Sequence, residues 1–153
     1  MDLRARILAS MKQAMKEKDA ERLSTVRLIS AAIKDRDIAA RADGNDDGVD
    51  ETEVMAILGK MTRQRQESAR TYEEAGRLDL AEREMAEIKV IEEFLPKQLS
   101  ADEISLAVET AIADMNASSI RDMGRVMGVL KNQYIGQMDF GHVGPLVKEK
   151  LTA

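Results

Sequence analysis

Apolar residues recur every three or four positions along nearly the whole chain, and polar punctuation interrupts them at intervals. Leu3, Ile7, Met11 and Met15, spaced at four, mark one helical stripe over residues 2–18. Asp19 is placed to cap a second helix running to about Arg41, with Leu23, Val26, Ile29 or Ser30, and Ile33 facing inward. Residues 42–50, with two glycines and four aspartates, read as a polar loop. Asp50 followed by Glu53 imitates a capping box and opens a long helix through Ala75, with Gly76 at the position after its end. That helix carries Val54, Leu58, Met61, Arg65, Ser68, Tyr72 and Ala75 at heptad spacing, a stripe that turns polar past its middle. Asp79 with Glu82 repeats the capping pattern. It predicts a fourth helix with Met85, Ile88, Ile91 and Leu95 inward, stopped by Pro96.

Beyond Pro96 the elements shorten. Ser100 and Glu103 form a full capping box for a helix to about Met115, which buries Ile104, Ala107 or Val108, Ala111 and Ile112. Ser118 or Ser119 starts a further helix to about Tyr134, which Gly136 ends. A last helix begins near Asp139 or Gly144 and closes at Leu151. No segment shows convincing strand patterning. The pattern predicts an all-α protein: a helical N-terminal domain of long antiparallel helices over 1–96, and a small three-helix domain over 97–153.

One feature of the second domain breaks the pattern. Gly124 and Gly128 stand four apart inside a helical segment, so they share a face one turn apart. Each interior glycine costs a helix roughly 1 kcal/mol relative to alanine. Two such losses on one face imply that something approaches the backbone there. The visitor is either a neighbouring helix of the same bundle or an external ligand such as an RNA phosphate.

Composition narrows the chemistry. The chain has no cysteine, which excludes disulfides, thiolate metal sites and cysteine nucleophiles, and its single histidine, His142, excludes a multi-histidine metal site within one chain. Aromatics are 3% with no Trp, so the core is built from aliphatic residues and ten Met. No apolar run approaches the roughly 18 residues of a membrane span, and the N-terminus lacks an apolar signal core. A cytoplasmic location follows as the default. The net charge is −5, against a general nucleic-acid binder but compatible with a local basic face. Lys and Arg number 17 before Lys97 and 6 from it onward, against 21 and 7 acids, so neither half is a basic module.

Three constellations remain. Lys60, Arg63, Gln64, Arg65 and Gln66 read either as an RNA-facing strip or as a solvated face balanced by Glu67, Glu73 and Glu74. Arg22, Arg27, Lys34 and Arg36 form a second basic scatter, in which Arg27 and Lys34, one heptad apart, are placed to share a face; the other reading is local pairing with acids such as Asp35 and Asp37. Glu82, Glu84, Glu87, Glu92 and Glu93 lack a histidine partner three residues on, which argues against a di-metal helical site. No catalytic residue, metal site or cofactor is assigned.

Five segments, in order, carry a resemblance: Thr25–Lys34 (TVRLISAAIK), Lys60–Ser68 (KMTRQRQES), Gly76–Leu80 (GRLDL), Glu93–Ser100 (EFLPKQLS) and Ser118–Gly128 (SSIRDMGRVMG). Together they resemble the YqeY family, which is related to the tail of GatB, a subunit of the glutamine-dependent amidotransferase that converts misacylated tRNA. The resemblance implies an all-α fold with a three-helix C-terminal domain from about residue 98. It also implies a role in or near carbon–nitrogen ligase chemistry with glutamine as amido donor, within a larger system, because the tail-like part alone holds tRNA and carries no catalytic set. Expected partners are tRNA, amidotransferase subunits or other translation proteins. The expected RNA contacts are Lys60, Arg63 and Arg65, with Gly124, Arg125, Gly128 and Lys131. The alternative is a protein-interaction module with no RNA role, docking through the polar-turning stripe Arg65, Ser68 and Tyr72. One departure from the family pattern stands out. A basic position has become Gln137, and Pro145 sits where a helix interior belongs. The last helix is therefore expected to start at or just before Pro145, or to kink there.

Overall fold

The computed structural model describes residues 2–152. Seven α-helices and one short 3-10 turn account for the regular structure of these residues, with no strand among them. The fold is all-α. The helices are α1 (Leu3–Glu17), α2 (Ala20–Ala42), α3 (Glu51–Glu74), α4 (Leu78–Glu92), α5 (Ala101–Asp114), α6 (Met123–Gln133) and α7 (Phe140–Thr152), with the 3-10 turn at Ile120–Asp122. Contacts divide the chain into two compact units, Met1–Pro96 and Lys97–Ala153.

Local signals set most helix ends. The Asp2 carboxylate accepts from Ala5 N at 2.8 Å, Asp19 from Arg22 N at 3.2 Å and Asp50 from Glu53 N at 2.9 Å. Each satisfies an orphan N–H of a first turn. Ser100 and Glu103 form the reciprocal capping box, at 3.2 and 3.1 Å. α3 closes in a Schellman motif: Gly76, at φ +76°, donates to Glu73 O and Arg77 N donates to Tyr72 O. The start of α4 corrects the sequence expectation. The helix begins at Leu78, and Asp79 lies inside its first turn paired with Arg77, without capping.

The first unit packs Leu3 and Ile7 of α1, Val26, Ile29 and Ile33 of α2, Val54, Leu58 and Met61 of α3, and Ile91 of α4 into one core with Val49 and Phe94. Two expected core positions face out: Met15 is 53% exposed and Met85 46%. A strict spacing of four drifts about 40° per step around a helix, so the Leu3–Ile7 stripe has rotated away by Met15, and Ala14 is buried instead. On α4 the inward line is Ala81, Ile88 and Ile91, with Glu84 and Glu87 half-buried beside it. Arg65 of α3 donates to Glu87 at 2.9 Å and to its own Met61 carbonyl at 3.2 Å. Arg65 and Glu87 lie equidistant from Gly76, which fixes α3 and α4 as an antiparallel hairpin. Burial, with the Glu87 charge nearby, holds the Glu84 carboxyl above the usual carboxylate range despite the opposing pull of Arg65.

The loop before α3 is tied down by α1 and α2. Arg4 grips Asp37 with both terminal nitrogens, at 2.9 and 2.6 Å, and reaches Val49 O at 2.9 Å. Val49 N donates to the same Asp37 carboxylate at 2.9 Å. The Arg4 hydrogen bonds and then the Val49 N–H hold the Asp37 carboxyl down at about 2. A group depressed in the folded state stabilises it above its unfolded value of about 3.9 and loses that effect as pH falls toward the folded value. Asp37→Ala is therefore expected to lose about 1–2 kcal/mol at pH 6, after allowance for solvent screening. Urea unfolding should show that gap closing between about pH 4 and pH 2. A gap that is constant across this range refutes the assignment.

The second unit buries Ala107, Val108 and Ala111 of α5, Val126 and Leu130 of α6, and Val143, Val147 and Leu151 of α7, together with Met138. Its last helix corrects one of the two alternatives drawn from Pro145, a start at or just before the proline. α7 begins at Phe140, beside the Asp139 alternative, and runs through the proline. Asp139 supports its first turn, accepting Gly141 N on its carboxylate at 3.0 Å and Val143 N on its carbonyl at 3.1 Å. Two neighbours make the proline tolerable. Gly144 has no Cβ to meet the pyrrolidine ring. The bond lost by the missing N–H belongs to the Gly141 carbonyl, and Gly141 is exposed and open to water.

Candidate nucleic-acid interface

The segment carrying the glycine pair is assembled by one carboxylate. Asn116, at φ +53°, turns the chain out of α5. Asp122 then accepts from Ser118 N at 3.0 Å and Ser119 N at 3.4 Å, and from Arg125 Nη2 at 2.7 Å. The Ser118 N–H and then Arg125 hold this carboxyl below the usual carboxylate range. Ser119, one of the two serines expected to cap this segment, stands at the N-cap of the 3-10 turn in a capping box with Asp122, whose carboxylate also takes the Ser118 N–H. The same carboxylate orients Arg125, whose side chain stays 57% exposed.

From Met123 onward the segment is an α-helix with Val126 and Leu130 turned into the core. The opposite face carries Gly124, Arg125, Gly128, Lys131 and Asn132, all exposed. At 100° per residue these positions span about 120° of arc, with Gly128 near the centre, Arg125 on one flank and Lys131 on the other. Arg121, in the 3-10 turn that leads into α6, is exposed as well. It was missed in the sequence.

The geometry decides between the two readings of the glycines as far as this unit is concerned. A Cβ built at Gly124 or Gly128 meets nothing within 4 Å. Neither glycine makes room for α5 or α7, and close packing inside the bundle is corrected as their explanation. They leave a shallow floor of exposed backbone flanked by cations.

The α3 candidates do not form one strip. Lys60 and Arg65 are five residues apart, hence about 140° around the helix. Arg65 points to α4, where Glu87 takes its guanidinium, and its side chain is only 15% exposed. Lys60 is exposed, while Arg63 is half-buried, its guanidinium folded back toward Gly59. The stripe Arg65, Ser68 and Tyr72, read as a docking seam, runs beside the line along which this chain's own α4 packs; Ser68 and Tyr72 are half-buried. Arg27 and Lys34 are both exposed on α2. His142 is 83% exposed and 3.2 Å from Asp139. No group of three or more metal-ligating side chains occurs among the described residues, and no helix is long and apolar enough to cross a membrane.

Comparison with known proteins places this architecture. The chain is similar to three curated proteins, each named "Altered inheritance of mitochondria protein 41, mitochondrial". It is 34% identical to that of Vanderwaltozyma polyspora over 107 residues, covering 69% of this chain and 56% of the relative. It is 31% identical to that of Kluyveromyces lactis over 117 residues, covering 74% and 60%. It is 31% identical to that of Lachancea thermotolerans over 121 residues, covering 78% and 63%. The chain thus spans under two thirds of the length of these relatives. Their names also correct the cytoplasmic default, since all three are named as mitochondrial proteins. That default rested on the lack of a membrane-length apolar run and of an apolar signal core, and on an acid near the N-terminus where transit peptides tend to have none, features that do not by themselves define a compartment. Residues 4–151 match the description "Yqey-like protein", covering α1 to α7 nearly end to end, and the chain belongs to the YqeY family.

Proposed function

We propose that this chain is a non-catalytic helical module that holds tRNA on the α6 face, in or near the work of a tRNA-dependent amidotransferase. The observation that carries the reading is the exposed face itself: two glycines with open space above them, flanked by Arg125 and Lys131, with Arg121 exposed in the turn just before. Cations positioned on a rigid helix neutralise phosphates, and a floor without side chains lets the sugar–phosphate edge come close. The likeness of Ser118–Gly128 to the GatB tail supports the identity of the ligand. The amidotransferase link rests on that likeness alone, and the chemistry belongs to other parts of such a system. Lys60 is a further candidate on the first unit; Arg65 is withdrawn, because its guanidinium is engaged by Glu87 and its side chain is only 15% exposed, whereas Arg125 stays 57% exposed beside Asp122.

Binding of tRNA to the full chain, followed by fluorescence anisotropy against salt, tests the proposal. Three phosphate contacts give a log–log slope of about −2 to −3. Arg121→Glu with Lys131→Glu, which leaves the Asp122–Arg125 bracket intact, is expected to weaken binding at least about tenfold and to flatten the slope. Absence of tRNA binding at low salt, or an unchanged affinity in the double variant, overturns the reading.

A further inference from the structure

We infer that the polymer taken by the α6 face is base-paired RNA gripped along its ribose–phosphate edge, and not an unpaired strand. The inference rests on the RNA-binding reading above and adds the form of the ligand.

It starts from the aromatic inventory. Proteins that hold unpaired strands stack the bases on aromatic side chains, since a flexible strand offers few other fixed features. This chain has four aromatics, Tyr72, Phe94, Tyr134 and Phe140. Phe94 is 5% exposed inside the first core. Tyr134 and Phe140 pack against the second core, and Tyr72 is half-buried on α3. None stands on the α6 face. The guanidinium of Arg125, the other group there able to stack on a base, is already held by Asp122 at 2.7 Å.

What the face does offer is a fixed lattice. Arg125 and Lys131 are six residues apart on α6, a span of about 9 Å along its axis. A helix holds that spacing rigid, which matches phosphates held rigid by a duplex and mismatches a strand that must first be ordered. The relief matches too. A-form RNA presents a wide, shallow minor groove lined by 2′-hydroxyls, and a convex helix bared to its backbone at Gly124 and Gly128 can lie against such a surface. The sign of the charge disfavours a second copy of the chain as the occupant, because α6 against α6 would set these cations against one another.

The experiment measures the full chain against four probes at one low salt concentration. These are tRNA, an RNA hairpin with a stem of about 16 base pairs, a DNA duplex of the same sequence, and oligouridylate with the same number of phosphates. The expected order places the RNA stem at least tenfold tighter than oligouridylate, with duplex DNA weaker than duplex RNA. Oligouridylate binding as tightly as the stem, or duplex DNA matching duplex RNA, overturns the inference while leaving tRNA binding standing. Loss of tRNA binding itself overturns the parent reading, and this one with it.

Discussion

Leu130→Ala is expected to unfold the second unit and leave the first one folded. Leu130 is 0% exposed at the centre of the core shared by α5, α6 and α7. Truncating a fully buried leucine removes its transfer free energy and leaves a cavity, a loss of about 3–4 kcal/mol. A domain of fewer than 70 residues with one aliphatic core rarely holds more than about 3–5 kcal/mol in total. The loss is therefore comparable to the whole stability of residues 97–153. The first unit has its own core and its own polar ties. Arg22 pairs with Glu93 at 2.6 Å and bonds Ser10 at 3.1 Å, while Arg6 caps the Glu93 carbonyl at 3.0 Å and stands 5.8 Å from the Phe94 ring centre. Amide hydrogen exchange read by segment checks the prediction. Protection should vanish across α5 to α7 and persist across α1 to α4. Loss of protection in both units together, or in neither, refutes it.

The parts of this fold that were legible in the sequence are those decided within a few residues. Asp19, Asp50 and Ser100 act on N–H groups three positions away, and Gly76 closes a turn with its immediate neighbours. Such signals need no knowledge of what lies opposite. Some of the failures depend on partners distant in sequence, and others on local geometry that the spacing rules simplify. Met85 reads as a core residue until the α3–α4 register puts Glu87 against Arg65, twenty-two positions away. The Arg4–Asp37–Val49 clasp, which turns a polar loop into a fixed segment, joins three regions that carry no common motif. Pro145 reads as a helix break because the rule assumes a side chain before it and a buried carbonyl behind it. Gly144 and the exposed Gly141 remove both objections. The candidate site divides the same way. The spacing of Gly124 and Gly128 was visible at once, but whether the space above them was filled depended on where α5 and α7 pass. Arg121 was overlooked although Ser119 and Asp122 on either side of it carry the spacing of a capping box.

Gly124→Ala with Gly128→Ala should make the protein more stable and a poorer RNA binder, and the opposite directions are the point. Neither glycine has a positive φ, and an added Cβ at either meets nothing within 4 Å. Alanine therefore costs no strain or overlap in the folded state, and it removes conformational freedom from the unfolded chain. Gly128, inside α6, should yield nearly the full glycine-to-alanine difference, and Gly124, in the first turn, somewhat less. Together they give about 1–1.5 kcal/mol of added stability. The same two methyl groups raise the floor between Arg125 and Lys131. A ligand that approaches the backbone there is held off, and affinity for tRNA is expected to fall about tenfold, equivalent to about 1.4 kcal/mol. Charge is untouched, so the salt slope should stay nearly as it was. Chemical denaturation and a tRNA titration on the same preparation decide the matter. Lower stability would mean that the glycines pack against something after all. Higher stability with unchanged affinity would mean that the bared backbone is not where RNA sits, and would leave the flanking cations as the only contact.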